Sequence, residues 1–500
     1  MKAVIVGAGI GGLAAAIRLR ALKLDVEVYE SNPYPGGKLT AFTKDGFRFD
    51  AGPSLFTMPH LVDELFTLAG KKPRDYFVYQ KLESITNYFF EDGTTITAFA
   101  DRQRFLDELK SKLAIDPTCV DQYLSRSQEI YNTVSNIFLE NSLHRWKTWW
   151  TKKVAKALTR IYRFGIFDSI DSFNKKLLNH PKLIQLFNRY ATYNGSNPYK
   201  APGILSSIPH LEFNLGSYFP QGGMHSITQS LYQLALDMGV SFNFNSSVDE
   251  IMLQDNRAIG VRLGNHIIKA DFVVSNMDVY FTYKKLLPSA KAPLKTLSQE
   301  RSSSALIFYW GIAQSFQQLD LHNIFFSSDY QKEFKVLFEQ KSIADDPTVY
   351  LNITSKLNPT DAPAHMENWF IMVNAPSNSG QDWDRLILAC RKKVIEKLSR
   401  ILKADVGSLI VSEHILDPRS IELKTSSYQG SLYGTSSNSK FAAFMRHPNH
   451  KKQFQNLFFC GGSVHPGGGI PLCLQSAKII SLWIEEQLTG KIVSLISKDV

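Results

Sequence analysis

The chain has 500 residues, 44% hydrophobic and 20% charged, enough to bury a sizeable core and too long for one ordinary domain. Its formal charge of +10 leaves anionic membrane and nucleic acid open as partners. Four scattered cysteines, Cys119, Cys390, Cys460 and Cys473, lack CxxC spacing, which excludes a cysteine metal site and a disulfide framework and suits a reducing cytosol. No apolar run approaches the ~18 residues of a transmembrane helix.

The first element is a short strand, Ala3-Val4-Ile5-Val6, followed by Gly7-Ala8-Gly9-Ile10-Gly11-Gly12 and an apolar helix start. A second strand, Val26-Glu27-Val28-Tyr29, ends on Glu30. This is the order of a nucleotide-binding βαβ unit. Gly7 allows the tight turn, Gly9 lets backbone approach a pyrophosphate, and Gly12 lets helix and sheet pack closely. The N–H groups of the helix N-terminus would face the phosphates. Glu30, 18 residues after Gly12, is placed to accept hydrogen bonds from a ribose 2′-OH, which points to FAD or NAD rather than NADP. Lys2 before an apolar run also suits a signal peptide, but the turn-spaced glycines, Arg18 and the second strand oppose that reading, and a strand starting at residue 3 leaves no room for a removable leader.

Further along come a loop, Pro33-Tyr34-Pro35-Gly36-Gly37-Lys38, and the segment Asp50-Ala51-Gly52-Pro53-Ser54. Residues 76–100 alternate as strands around Asp92-Gly93, and 102–190 carry helical periodicity. Pro220-Gln221-Gly222-Gly223 turns into a helix from about Met224, 240–274 reads as several strands, and 300–430 mixes strands with a helix near 383–403. The chain closes on a strand at 456–460, a glycine-rich turn and a helix at 474–488. A cofactor held by the first glycine turn would thus be completed by the last. There is no internal repeat and no low-complexity tract.

The closing turn, Gly461-Gly462-Ser463-Val464-His465-Pro466-Gly467-Gly468-Gly469-Ile470-Pro471, resembles the C-terminal flavin signature of bacterial-type phytoene and carotenoid desaturases. The blocks around Tyr29-Glu30 and Gly36-Gly37-Lys38, Asp50 to Ser54, and Tyr193-Asn194-Gly195-Ser196-Asn197-Pro198 followed by Pro220 to Met224 resemble the same family. The resemblance covers nearly the whole chain. It implies an α/β (α+β) architecture: a Rossmann-type FAD-binding domain of the amine-oxidase/desaturase kind, with an inserted substrate domain of mixed sheet and helical cap. The expected FAD domain is discontinuous, 1–75, 220–280 and 430–500; the substrate-binding, membrane-facing domain is 76–219 and 281–429.

The resemblance further implies FAD as cofactor. Gly7, Gly9, Gly11 and Gly12 would cradle the pyrophosphate, and Glu30 would hold the ribose. Gly36, Gly37 and Lys38 would follow the phosphates and ribityl chain, and Gly52, Pro53 and Ser54 would approach the isoalloxazine. Val248 would pair backbone with adenine. Gly462 and Ser463 would meet pyrophosphate and ribityl, and Gly469, Ile470, Pro471 and Leu472 would lie under the ring, where a helix start stabilises negative charge. Ser463 stands where related flavoproteins often carry an acid. Cys460 and Cys473 read as small apolar filler rather than covalent flavin links.

No Ser-His-Asp set, HExxH or demanding carboxylate pair is present, and no metal is expected. His465 is the titratable group nearest the flavin turn; it reads as a polar group at the reacting edge or, preferably, as a loop histidine fixing local backbone. Nothing in the sequence places a base among Asp278, Glu212 and Arg145.

Residues 144–164 hold seven Lys and Arg, no acid, and three of the seven tryptophans. Trp146, Trp150, Val154, Leu158 and Ile161 recur at helical spacing, which predicts one amphipathic helix on a membrane surface. Trp146, Trp149 and Trp150 would enter the interface, and Lys152, Lys153 and Lys156 would reach anionic lipid. The plainer reading is a solvated basic face on a core helix; nucleic acid is not needed to explain it.

The expected activity is dehydrogenation of a C40 carotenoid in carotenoid biosynthesis, leaning to a 1′-hydroxycarotenoid 3,4-desaturase. The alternatives are phytoene desaturase, a carotene cis–trans isomerase on the same scaffold, and an amine oxidase. Oxygen or a membrane quinone is the expected electron acceptor. The expected location is the cytoplasm, peripherally associated with the inner membrane.

Overall fold

The computed structural model describes residues 1–150, 154, 157, 159–439 and 442–496. The β-branched runs flanked by glycine turns build a five-stranded parallel sheet in the order Leu457–Phe459, Phe272–Ser275, Lys2–Val6, Asp25–Tyr29, Ser241–Asn243. A parallel sheet must be covered on both faces, and side chains alternate between them. Ala3 and Ile5 pack against helices Ile10–Ala21, His225–Asp237 and Ile470–Ile496. Val4 and Val6 pack against the antiparallel sheet Glu250–Gln254, Arg257–Leu263, His266–Lys269. The first and last helices lie against each other, so the two glycine turns at their N-termini sit side by side.

A second sheet has seven strands: Ile410–Leu416, Ser304–Ile312, Glu367–Ala375, Val349–Ile353, His322–Phe325, Ser84–Phe89, Thr95–Phe99. All neighbours are antiparallel except His322–Phe325 beside Ser84–Phe89. Alternation decides what each face does. Leu306, Phe308, Trp310, Leu351, Ile371 and Val373 face helix Trp383–Leu402 and form a dry core. Their neighbours Ile307, Tyr309, Tyr350, Phe370, Met372 and His322 face a cavity. Helices Thr118–Phe138, Ile170–Leu177, Pro181–Asn188 and Pro209–Phe213 cap it.

The expected strand and helix positions are found with shifted ends. The helix expected at 474–488 begins earlier and runs Ile470–Ile496. Val248, expected at the start of a strand, lies in the loop before Glu250–Gln254. The single helix expected over 144–164 is not formed. Helix Trp146–Trp149 ends at Trp150, whose φ of −97° and ψ of 48° leave helical geometry, and Ile161–Phe164 is a separate 3-10 turn. Helical spacing of apolar residues does not by itself make one helix: Trp149 Nε1 donates back to the Leu143 carbonyl at 2.8 Å, and the chain leaves helical geometry at the next residue. Lys152, Lys153 and Lys156 lie outside the described residues, as does the Trp146 side chain.

Candidate active site

The site is built where the two glycine turns converge. Gly7 has φ +97° and donates its N–H to the Tyr29 carbonyl at 2.8 Å, which makes the tight turn. A Cβ on Gly12 would stand 2.0 Å from the Gly7 carbonyl oxygen, so only glycine lets the helix sit this close to the strand. Gly36 donates to the Ala8 carbonyl at 2.9 Å, joining the second glycine loop to the first. A Cβ on Gly52 would lie 1.8 Å from the Lys38 carbonyl oxygen. Asp50 accepts from the N–H groups of Met224 and His225 at 2.8 and 3.0 Å and from Arg48 at 2.9 Å. That carboxylate therefore ties the Asp50–Ser54 loop to the Pro220–Met224 turn.

These segments open on a cavity of about 1150 Å³, above the ~300–1,000 Å³ of an ordinary small-molecule site. Gly7, Gly9, Gly11, Glu30, Gly36, Gly37, Lys38, Gly52, Pro53, Ser54, Val248, Gly462, Ser463, His465, Gly469, Ile470, Pro471 and Leu472 all line it. Of the expected cofactor residues only Gly12 does not, being turned into the helix–strand contact. The cavity continues between the seven-stranded sheet and the helical cap, past Leu211, Phe138 and Leu143.

Three expected ligands are already engaged. Glu30 Oε2 accepts from the Ala8 N–H at 2.7 Å, and its Oε1 accepts from the backbone and side-chain nitrogens of Asn32 at 2.9 Å each. The Lys38 Nζ donates to the carbonyls of Ser431 and Leu432 at 3.0 Å. Burial lowers its pKa to about 8, with Asp278 opposing that shift. Ser463 Oγ accepts from the Val279 N–H at 2.9 Å, leaving its own hydrogen to donate.

His465 is buried among protein atoms, lowering its pKa to about 4, and its Nε2 donates to the Asn141 carbonyl at 2.9 Å. Its backbone N–H also donates to the His447 carbonyl at 2.9 Å. A neutral ring held this way fixes loop geometry. Cys460 and Cys473 are driven up to about 12 and 11 by burial, which leaves them as thiols.

Sequence reading missed Asn276 and a polar cluster in the cap. Asn276 follows strand Phe272–Ser275, and its Nδ2 donates to the Gly7 carbonyl at 3.3 Å. A Cβ on Gly11 or Gly461 would lie 2.6 or 2.7 Å from its Oδ1, so this one side chain wedges both glycine turns. In the cap, Arg189 donates to Tyr88 Oη at 2.9 Å and Glu212 Oε2 at 3.2 Å, and Tyr190 donates to the same oxygen. No local motif marks them, because strand pairing and helix docking bring them together.

The residues present fit a dinucleotide cofactor. Two helix N-termini and a glycine cradle in which added Cβ atoms would collide leave backbone N–H groups facing the cavity, as a pyrophosphate needs. The parallel sheet, the paired glycine turns and the large cavity are those of a dinucleotide-binding protein.

Comparison with known proteins agrees. Residues 10–481 match the family described as flavin containing amine oxidoreductase, and the chain belongs to that family. FAD is its cofactor. The chain is 52% identical to a 1-hydroxycarotenoid 3,4-desaturase of Flavobacterium sp. (strain P99-3), over 96% of this chain and 98% of that one. It is 35% identical to a 4,4′-diapolycopene oxygenase of Methylomonas sp., over 96% and 97%. A solved putrescine oxidase bound to putrescine shares the fold, with a TM-score of 0.64 at 14% identity, covering 97% of this chain and 99% of that one.

Proposed function

We propose that this enzyme is an FAD-dependent carotenoid desaturase acting on a 1-hydroxycarotenoid at the 3,4 bond. The 52% identity to the Flavobacterium enzyme across nearly both whole chains carries this reading. The cavity supports it, because besides the glycine turns it is lined by Ile307, Phe370, Met372 and Leu211, apolar side chains that suit a polyene. Desaturation takes a hydride from one carbon and a proton from its neighbour; FAD, when bound, supplies the hydride-accepting chemistry. The protein's part is orientation and exclusion of water. Conjugation spreads the charge that develops on the substrate, so no strong base is required.

The proposed roles of the glycines, Glu30, Val248, Ser463 and residues 469–472 are those of a cofactor cradle. Lys38 clamps the 431–432 loop. The chain divides functionally into the cofactor part, 1–75, 220–280 and 430–500, and the substrate part between, a split supported by which sheet each segment joins. Purified holoenzyme given a 1-hydroxycarotenoid and either oxygen or a quinone should yield a product two hydrogens lighter. An isomer of unchanged mass would instead favour isomerase chemistry, and turnover of phytoene alone would favour a phytoene desaturase.

We also propose that residues 144–164 rest on a membrane and admit the substrate from it. Among the described residues no helix is long and apolar enough to cross a membrane. Trp149 and Trp150 are 41% and 75% exposed, and Trp149 hydrogen-bonds Leu143, which lines the cavity. An exposed aromatic edge beside the cavity wall suits entry from lipid. Exchanging Lys152, Lys153 and Lys156 for Glu should abolish co-sedimentation with anionic liposomes. Undiminished co-sedimentation would reject the surface role.

A further inference from the structure

We propose that the buried polar cluster of Arg189, Glu212 and His322 binds the hydroxyl of an otherwise apolar polyene and thereby sets which end reaches the cofactor. The inference rests on the desaturase reading and adds a recognition site to it.

The cluster is anomalous in its surroundings. His322 and Glu212 are 2% and 1% exposed, and both line the cavity. His322 Nε2 and Glu212 Oε1 are buried atoms without a hydrogen-bond partner, and so is Arg189 Nε. A buried polar atom left unpaired is destabilising, so a hydrocarbon ligand would keep that penalty and an alcohol would relieve it.

The chemistry of the free atoms is specified by their neighbours. Asn352 Nδ2 donates to the Leu321 carbonyl at 3.0 Å and lies 3.2 Å from His322 Nδ1. Nδ1 thus meets both this amide and Tyr350 Oη, which leaves Nε2 as the free ring nitrogen. Burial and the charge of Arg189 hold the ring neutral. His322 therefore keeps one unpaired ring nitrogen at the cavity wall, able to pair with a hydroxyl. Glu212 presents an acceptor, its other oxygen being held by Arg189 and Tyr190. A hydroxyl both donates and accepts, so it can pair with either group.

Strand register sets these groups on one face. Asn323 pairs with Asn87 and Ile324 with Tyr88, so His322 and Thr86 precede Ile324 and Tyr88 on the cavity side. Tyr88 in turn holds Arg189, which holds Glu212. The cluster also reaches toward the cofactor end. His322 Nδ1 lies 2.8 Å from Tyr350 Oη, and Tyr350 Oη lies 2.8 Å from Ser54 Oγ on the loop beside the glycine cradle. That proximity suits the proposed substrate, in which only C2 separates the carbon bearing the hydroxyl from C3. Anchoring the hydroxyl at His322 and Glu212 would hold the 3,4 bond at the cofactor end of the cavity.

The test uses FAD-loaded enzyme in detergent micelles, a 1-hydroxylated acyclic carotenoid and the parent hydrocarbon of the same polyene. Quenching of tryptophan fluorescence reports binding, and product mass reports turnover. The wild type should bind the alcohol at least about tenfold more tightly. His322→Leu should remove most of that preference, and Glu212→Gln should reduce it. His322→Leu is the decisive variant, because it leaves the Arg189–Glu212 pair intact. No preference in the wild type, or a preference that survives both variants, overturns the proposal. Preference in binding without any desaturated product would instead count against the desaturase reading, and product without preference would count against the hydroxyl site alone.

Discussion

Gly12→Ala is expected to purify without flavin. Its Cβ would lie 2.0 Å from the Gly7 carbonyl oxygen, and that oxygen belongs to the turn itself, so neither partner can yield without moving the cradle. Overpacking of this kind costs about 1–3 kcal/mol. Pushing helix Ile10–Ala21 off the strand also moves its N-terminal N–H groups away from where a pyrophosphate must sit. The flavin absorbance per mole of protein should fall by at least about tenfold, with a lower Tm. Gly490→Ala is the matched control. Its Cβ would meet nothing within 4 Å, and Ala is the better helix former there by about 1 kcal/mol. Flavin retained in Gly12→Ala would contradict the role given to this contact.

Mild acid should destabilise the protein through three buried histidines. Burial lowers His322 and His447 to about 3 and His465 to about 4, from an ordinary 6.5. Their neighbours hold the neutral rings: Tyr350 and Asn352 for His322, Tyr283 and the Pro448 carbonyl for His447, and the Asn141 carbonyl for His465. Arg189, Lys451, and Arg446 with His144 add like charge near the three rings respectively. Below pH 6.5 the unfolded chain takes up protons that the folded chain refuses, so stability falls as pH drops from 6.5 toward 4. At about pH 5.5 each group contributes about 1.4 kcal/mol of loss, roughly 4 kcal/mol together. For a chain of this length that corresponds to a Tm about 4 °C lower than at about pH 7.5. Thermal melts of the FAD-loaded enzyme across this range measure it, and His447→Gln should flatten the slope by about a third. An unchanged Tm at the lower pH would refute the assignment of these rings as neutral.

That the two glycine turns meet at one cavity is legible in the sequence because their signals are local. Gly7, Gly9 and Gly12 fall within one turn and one helix start, and Gly461 to Pro471 repeat the device at the other end. Backbone that must approach a phosphate can carry no Cβ, so the requirement is written directly as glycine. Local sequence says less about where a long ionisable side chain reaches: Lys38 lies in a glycine loop that lines the cavity, and its Nζ donates to the carbonyls of Ser431 and Leu432, far along the chain. The single helix expected over 144–164 is not formed because periodicity records side-chain chemistry and not backbone path, and the chain leaves helical geometry at Trp150.

Paired glycine turns at the two ends and a family resemblance along nearly the whole chain can be read from the amino-acid order. What lines the cavity beyond those turns follows from packing. Tyr88, Arg189, Glu212, His322 and Tyr350 come from separate strands and helices. Each alone reads as an ordinary core or surface residue. They become a polar cluster because strand register fixes the face of His322, Tyr88 and Tyr350, and because the helical cap lowers Arg189 and Glu212 onto that face. Register and docking depend on the simultaneous burial of many apolar side chains, so no short stretch of sequence encodes the result.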